Sequence, residues 1–291
     1  MNTSYIISCA LTGTLSFLLG IFVYLKNKTS NVNKIAMLLN FGVALWTWSL
    51  VGRELSLEKT TALFFIRLSY VGVIFIPVIF LHFVVSVLKR VEYKLILPVY
   101  ALGLFFQIFN FTPLFIKDAG PILSFRYYGI PGAIYPFFVI SFIAIIAYSH
   151  YILIKNFKKS EGQQRNQIRY LLFATVIGFI GGGTGFLPNF NIEIFPFGFY
   201  FLTIYVVLIS YAITKHRLMD INIVLKKGTT YILLLLLLFI PSFLLILLGQ
   251  KIFYGKIDYL FTVMMFSILF LAAILFHRIK PGTEKAVDHF L

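Results

Sequence analysis

The sequence is poor in charge and has almost no cysteine. Charged residues make up 12% of its 291 residues and hydrophobic residues 60%, whereas a soluble domain is about a quarter charged. A single cysteine, Cys9, rules out an internal disulfide and a cysteine metal cluster. This composition leaves no room for a large soluble domain and predicts an integral membrane protein.

Catalytic and cofactor motifs are also missing. The sequence contains no pair of carboxylates within an apolar run, no HExxH, no Walker loop and no Ser–His–Asp grouping. No lysine falls within an apolar run, which argues against a retinal Schiff base. The glycine-rich stretch Gly181–Gly185 lacks the lysine of a phosphate loop, so we interpret it as a site of close helix packing or flexure. We therefore expect neither catalysis nor a cofactor from this chain.

Long apolar runs dominate what is present. A membrane-crossing helix needs about 20 apolar residues, and β-barrel strands would instead show short alternating segments. The predicted fold is therefore an all-α polytopic membrane protein. We predict nine spans, at Tyr5–Leu25, Ile35–Val51, Ala62–Leu88, Leu95–Phe111, Ala133–Ile154, Tyr170–Leu187, Phe197–Ile213, Tyr231–Leu248 and Tyr259–Phe276.

The basic residues predict the orientation of these spans. With the N-terminus outside, the inner loops carry eighteen Lys and Arg residues and the outer loops six. Because cytoplasmic loops are enriched in Lys and Arg, we predict a cytoplasmic C-terminus. The net charge of +15 then reflects orientation in a multi-pass protein of the cytoplasmic membrane. Anionic lipid of the inner leaflet is the expected partner of these residues, and nucleic acid is not expected.

Several polar residues within or beside the spans are candidates for function. Arg67 is the one basic residue inside a span; it either reaches the outer surface as an anchor or contacts a ligand or an acidic partner such as Glu54 or Glu58. Gln107 and Asn110 are interhelical hydrogen-bond partners or ligand contacts. The outer loop Phe111–Gly132 either covers a pocket for an apolar ligand or lies on the lipid headgroups.

Two further features concern the predicted inner side. His82 follows Pro77 in the third span, and a hydrogen-bonded structural role is favoured over metal or haem ligation. In Thr214–Gly228, apolar residues follow one helical face, and Arg217 and Asp220 lie mostly off it. That pattern suits a short helix on the inner leaflet, although an ordinary membrane anchor would have the same pattern.

Scattered residues in a fixed order carry a resemblance to a known family. Asn40 and Trp46 fall in the second span, and the third span contains an arginine, a proline and then a phenylalanine, at Arg67, Pro77 and Phe83. The most specific match is Tyr211-Ala212-Ile213 followed by His216-Arg217-Leu218-Met219-Asp220-Ile221. These marks resemble the seven-helix N-terminal membrane region of bacterial sensor histidine kinases.

The resemblance implies a membrane sensor organised in four parts. These are a seven-helix sensor region (1–213), an interfacial linker helix (214–228), a two-helix hairpin (229–276) and the start of a connector helix (277–291). It implies an unknown small or apolar ligand, a kinase or response-regulator partner and, by analogy, a homodimer. The sensing candidates that carry the resemblance are Trp46, Arg67 and Tyr70, and Gln107 and Asn110 join them from their place in the fourth span. The relay candidates are Pro77, His82, Arg217 and Asp220.

Alternatives remain at this point. The phosphoacceptor histidine and ATP-binding domain of the resembled kinases are not found, and the last segment, Lys280–Leu291, reads as a connector helix cut short. We expect either a truncated kinase or a free-standing sensor. A small-solute permease, a membrane-embedded lipid enzyme or a scaffold without a ligand are the other function classes.

Overall fold

Apolar runs and short polar breaks determine the order of the elements. The computed structural model describes residues 3–89, 93–216 and 250. All elements below belong to one compact unit. Seven helices and one β-hairpin follow each other as α1 (Thr3–Lys26), α2 (Asn31–Leu55), α3 (Lys59–Val87), α4 (Tyr93–Asn110), β1 (Ile116–Ile122), β2 (Phe125–Pro131), α5 (Tyr135–Phe157), α6 (Gly162–Gly183) and α7 (Phe199–His216).

The helices occupy the first seven predicted spans and confirm the mostly helical fold. Five of the described helical segments are long and apolar enough to cross a membrane: Thr3–Lys26, Asn31–Leu55, Lys59–Val87, Tyr135–Phe157 and Gly162–Phe190. Two shorter apolar helices are Lys94–Asn110 and Phe199–Ile209. The orientation and the total number of spans stay predictions, and the predicted spans Tyr231–Leu248 and Tyr259–Phe276 lie outside the described residues.

The helix ends differ from the predicted span ends where polar residues continue the helix. The second span, predicted as Ile35–Val51, extends at both ends to Asn31–Leu55, and Ser30 caps it by accepting a hydrogen bond from the Asn33 backbone. The sixth begins at Gly162 instead of Tyr170. In its first turns, the Arg165 guanidinium lies 5.0 Å from the centre of the Phe157 ring at the end of α5, within the range of cation–π attraction.

The predicted outer loop Phe111–Gly132 is a β-hairpin. Strands β1 and β2 pair antiparallel, with Ala119 opposite Gly129 and irregular register near both ends. Along β2, Phe125 and Tyr128 are buried and Arg126 is exposed. The two rings are three residues apart, and the register shifts between their pairing positions, so strict alternation does not hold there. The buried rings place the hairpin against the helix ends, and we refer to this side of the bundle as the hairpin end.

Glycine lets α2 and α3 approach at backbone distance. A Cβ built on Gly72 would collide with the carbonyl of Gly42 and lie 3.3 Å from the backbone nitrogen of Trp46. Such contacts hold membrane helices together because lipid offers no hydrophobic driving force for association. The tight α2–α3 pair forms one wall of the site described next.

Candidate functional site

A small buried cavity lies at the hairpin end, where several parts of the chain meet. Its volume is about 30 Å³, room for about two water molecules. Helices α2 and α3, the hairpin, the turns after α6 and the first residue of α7 all contribute to its wall. The lining residues are Trp46, Leu50, Arg53, Ile66, Ser69, Tyr70, Val73, Tyr128, Gly129, Gly182, Gly185, Phe186, Asn189 and Phe199.

Arg53 provides the charge at this cavity. It occupies the last turn of α2 and is only 3% exposed. Its Nη2 and Nε donate to Glu54 Oε1 at 2.9 and 3.1 Å, and Nη2 also donates to the Tyr5 hydroxyl at 3.4 Å. Because the Glu54 side chain is only 5% exposed, the two opposite charges compensate each other in a site with little water.

Three aromatic rings surround the Arg53 guanidinium. Its central carbon lies 4.5, 4.9 and 5.7 Å from the ring centres of Tyr128, Phe125 and Tyr5, within the range of cation–π attraction. Tyr128 donates its hydroxyl hydrogen to the Gly185 carbonyl at 2.7 Å, and burial raises its pKa, so the ring stays an uncharged phenol. Arg53 therefore joins α1, α2 and the hairpin through a single side chain.

Asn189 contributes an unused hydrogen-bond acceptor. It lies in the short 3₁₀ turn Pro188–Phe190 and is 6% exposed. Its Nδ2 donates to the Gly129 carbonyl at 2.8 Å, which fixes the orientation of the amide. Within the described parts of the chain its Oδ1 is buried without a hydrogen-bond partner. A buried acceptor of this kind destabilises the protein unless it finds a donor.

Tyr70 completes the polar part of the wall. Its hydroxyl shares a hydrogen bond of 2.6 Å with the hydroxyl of Tyr135, the first residue of α5. The two rings meet edge to face with their centres 5.5 Å apart. This pair connects α3 to α5 directly beside the cavity.

A second cavity lies beside the first, on the other side of a shared wall. Its volume is about 40 Å³, and Trp46, Val73, Gly182 and Phe186 line both cavities. The shared wall is tight, because a Cβ on Gly182 would lie 2.8 Å from Cη2 of Trp46. The rest of the second wall is apolar apart from one tyrosine; it consists of Leu39, Val43, Ile76, Phe142, Gly178, Phe179, Gly183, Leu202 and Tyr205.

The close-packing interpretation of the glycine-rich stretch is confirmed. A Cβ added to Gly178 would lie 2.9 Å from two carbons of the Tyr205 ring. A Cβ added to Gly181 would lie 2.6 Å from the carbonyl oxygen of Gly198. Gly182 faces Trp46 in the same way. Small residues at these positions let α6 contact α2 and the start of α7 together.

Hydroxyl side chains at four-residue spacing join α1 to α7. Residues four apart lie on one helical face, so the spacing directs all of them toward the same neighbour. Three hydrogen bonds result: Ser4 Oγ with Tyr200 OH at 3.0 Å, Ser8 Oγ to the Phe199 carbonyl at 3.2 Å, and Thr12 Oγ1 with Thr203 Oγ1 at 2.8 Å. These hydrogen bonds hold the beginning of α7 to α1. The first residue of α7, Phe199, also lines the cavity.

The predicted sensing residues fall into two groups. Trp46 and Tyr70 line the cavity. Arg67 instead donates from Nη2 to the Ile116 carbonyl of the hairpin at 3.0 Å. Its suggested partner Glu54 is bound by Arg53.

Gln107 and Asn110 lie on α4, away from the cavity lining. Asn110 donates from Nδ2 to the Arg67 carbonyl at 2.9 Å, an interhelical hydrogen bond between α4 and α3. In the described residues the side-chain oxygens of Gln107 and Asn110 are buried without a partner. A role in ligand contact stays a prediction for both.

The predicted relay residues are only partly described. Pro77 lies inside α3, which continues through it to Val87. His82 is half-buried and its Nδ1 shares a hydrogen bond of 3.1 Å with the Tyr100 hydroxyl of α4, a structural pairing of the kind we favoured. Arg217 and Asp220, with the rest of the predicted linker, hairpin and connector, lie outside the described residues.

Sequence reasoning missed Arg53 and Asn189. Arg53 follows an apolar run and was counted among the outer-loop charges. A signal was present, because an Arg next to a Glu at a span end can form a neutral pair that folds inward. Asn189 carries no comparable signal, since its burial depends on the hairpin packing against the turn after α6.

The chain matches the family described as the N-terminal 7TM region of histidine kinase over residues 8–222. It belongs to this family. The matched region includes most of α1, all of α2 to α7 and the whole cavity wall. No curated protein and no solved structure matches the chain significantly. The family assignment makes the chain a multi-pass membrane protein of the histidine kinase signalling context, with a sensor input region.

Proposed function

We propose that the buried cavity at the hairpin end is the sensing site of this input region and that α7 carries its state toward a cytoplasmic kinase core or partner. The observation that supports this most is the position of Phe199. It is the first residue of α7, and its side chain lines the cavity. A change in cavity occupancy therefore acts directly on the helix that precedes the C-terminal part of the chain.

The contacts around Phe199 support coupling. Its ring centre lies 5.2 Å from that of Trp46 and 5.3 Å from that of Tyr5. Its carbonyl accepts the hydrogen bond from Ser8. A displacement of Trp46 thus moves the start of α7 against α1. A sensor needs only about 1–3 kcal/mol of coupling between two packings, the size of a few such contacts.

The signalling proposal is tested by fusing a histidine kinase core in frame after Leu291 and measuring autophosphorylation in nanodiscs. Gly182→Ala places a methyl group against Trp46, whereas Ile180→Ala, two residues earlier in the same helix, shortens a side chain that is 69% exposed and lines neither cavity. We expect Gly182→Ala to change autophosphorylation about fivefold or more and Ile180→Ala to change it less than twofold.

A compensating substitution sharpens the same test. Trp46→Phe shortens the ring that the new methyl group meets, so it should return the Gly182→Ala fusion toward the parent activity. Equal activity of the parent, Gly182→Ala and Ile180→Ala fusions, at several junction lengths, would contradict coupling between the cavity and the output.

A further inference from the structure

The second cavity is a small space with an apolar wall. Its volume is about 40 Å³, which corresponds to roughly three water-sized positions. Among its described lining residues, only Trp46 and Tyr205 carry polar side-chain atoms. A buried water molecule needs about two to four polar partners. We therefore expect this cavity to hold no ordered water.

One glycine of this wall leaves space that no neighbouring side chain uses. On Gly178 and Gly182 of α6, an added Cβ would lie 2.9 and 2.8 Å from an aromatic ring carbon, so these two glycines permit close packing. On Gly183 an added Cβ meets no described atom within 4 Å, although Gly183 lines the same cavity. The missing side chain of Gly183 therefore leaves open space instead of permitting a close contact.

The wall draws on α2, α3, α5, α6 and α7. Leu39 and Val43 of α2 are four residues apart and so lie on one helical face, which they turn toward the cavity. Leu202 contributes from α7. A molecule in this space contacts several helices at once, including the helix that leads to the C-terminal part of the chain.

From the apolar wall, the small volume and the open space at Gly183, we infer that the second cavity binds a small apolar gas molecule of the size of dioxygen. Apolar cavities that stay free of water take up apolar solutes such as xenon. Two bonded atoms fit roughly three water-sized positions, whereas an acyl chain does not. Binding is non-covalent, and it does not require the first cavity, on the other side of the wall that contains Trp46 and Gly182, to be a sensing site.

Methyl NMR on the full chain in nanodiscs tests this inference with dioxygen and xenon as the probes. Dioxygen is paramagnetic and speeds the relaxation of methyl groups that it approaches. The reporters are Leu39 and Ile76, which line the second cavity and are buried. The controls are Val84 and Leu171, which are fully buried and line neither cavity. We expect dioxygen to raise relaxation severalfold more at the reporters than at the controls, and xenon to shift the reporter signals saturably and to displace dioxygen.

Filling the cavity should remove these effects. The double variant Gly183→Ala/Val43→Ile adds two methyl groups to the wall, and we expect the reporter responses to both gases to fall to the level of the controls. Gly183→Ala alone, which meets no described atom within 4 Å, should lower them in part without disturbing the fold. Ile180→Ala, at a position 69% exposed on the same helix, should leave them unchanged.

Two kinds of result would overturn the inference. The first is a response to the gases that is equal at reporters and controls, or that persists undiminished in both filling variants. The second is a nuclear Overhauser contact from water or from a lipid acyl chain to Leu39 or Ile76, because another molecule would then occupy the cavity.

Discussion

The buried pair Arg53–Glu54 makes the most quantitative prediction. Glu54→Gln keeps the size of the side chain and one carbonyl-type acceptor but removes the negative charge. The Arg53 guanidinium, 3% exposed, then keeps a buried charge without its counter-charge. Loss of one partner of a buried pair costs about 3–5 kcal/mol, and we expect a decrease of that size in the free energy of unfolding.

The assay is equilibrium unfolding in mixed micelles, followed by tryptophan fluorescence, with Glu58→Gln as the matched control. Glu58 is exposed and its side chain makes no capping hydrogen bond to α3, so its substitution should change stability by less than about 0.5 kcal/mol. The double variant Arg53→Met/Glu54→Gln should recover part of the loss, because no unpaired charge remains.

The reasoning is refuted if Glu54→Gln and Glu58→Gln have the same stability. It is also refuted if the loss of stability in the double variant equals the sum of the losses in Arg53→Met and Glu54→Gln alone. Either result would mean that Arg53 keeps access to water or to another acceptor and that the hairpin end is not a dry site.

Three further predictions concern the surrounding packing. Gly72→Val drives its side chain into the α2 backbone and should lower the unfolding midpoint clearly, whereas Gly183→Ala, with open space around it, should not. Tyr70→Phe leaves its buried tyrosine partner without a hydrogen bond and should cost about 1–3 kcal/mol in the same unfolding assay. The hydrogen bond from Lys59 at 2.6 Å, together with one from the Ala119 backbone, lowers the pKa of Asp118. Because the pair is exposed, it should contribute under about 1 kcal/mol to the free energy of unfolding. That contribution is present above the ordinary Asp pKa and is lost as pH falls through the lowered pKa of Asp118. Lys59→Met should raise the Asp118 pKa in an NMR titration, and an unchanged value would show that the pair does not form in solution.

The positions of the helices were accessible from sequence because lipid contact requires continuous apolar runs. Each of the seven described helices overlaps a predicted run. Of the two interpretations of Gly181–Gly185, packing or flexure, packing is confirmed at Gly181, Gly182 and Gly185. The hairpin was missed because a strand pair of two seven-residue segments leaves only a weak alternating pattern.

The cavity could be predicted only in part. Trp46 and Tyr70 were identified through a family resemblance, which carries positions without their geometry. Arg53 was missed because its place at the end of an apolar run is typical of an exposed flank. Its burial depends on Tyr5, Phe125 and Tyr128, three residues that only the tertiary fold brings together.

The central claim, that the state of the cavity moves α7 against α1, is tested most directly by disulfide formation between these helices. The Oγ1 atoms of Thr12 and Thr203 lie 2.8 Å apart, so a Thr12→Cys/Thr203→Cys chain, with Cys9→Ala, should oxidise readily. We predict that adding Gly182→Ala changes the oxidation rate severalfold, while Ile180→Ala, at an exposed position of the same helix, leaves it unchanged. Identical rates in all three chains would contradict the account.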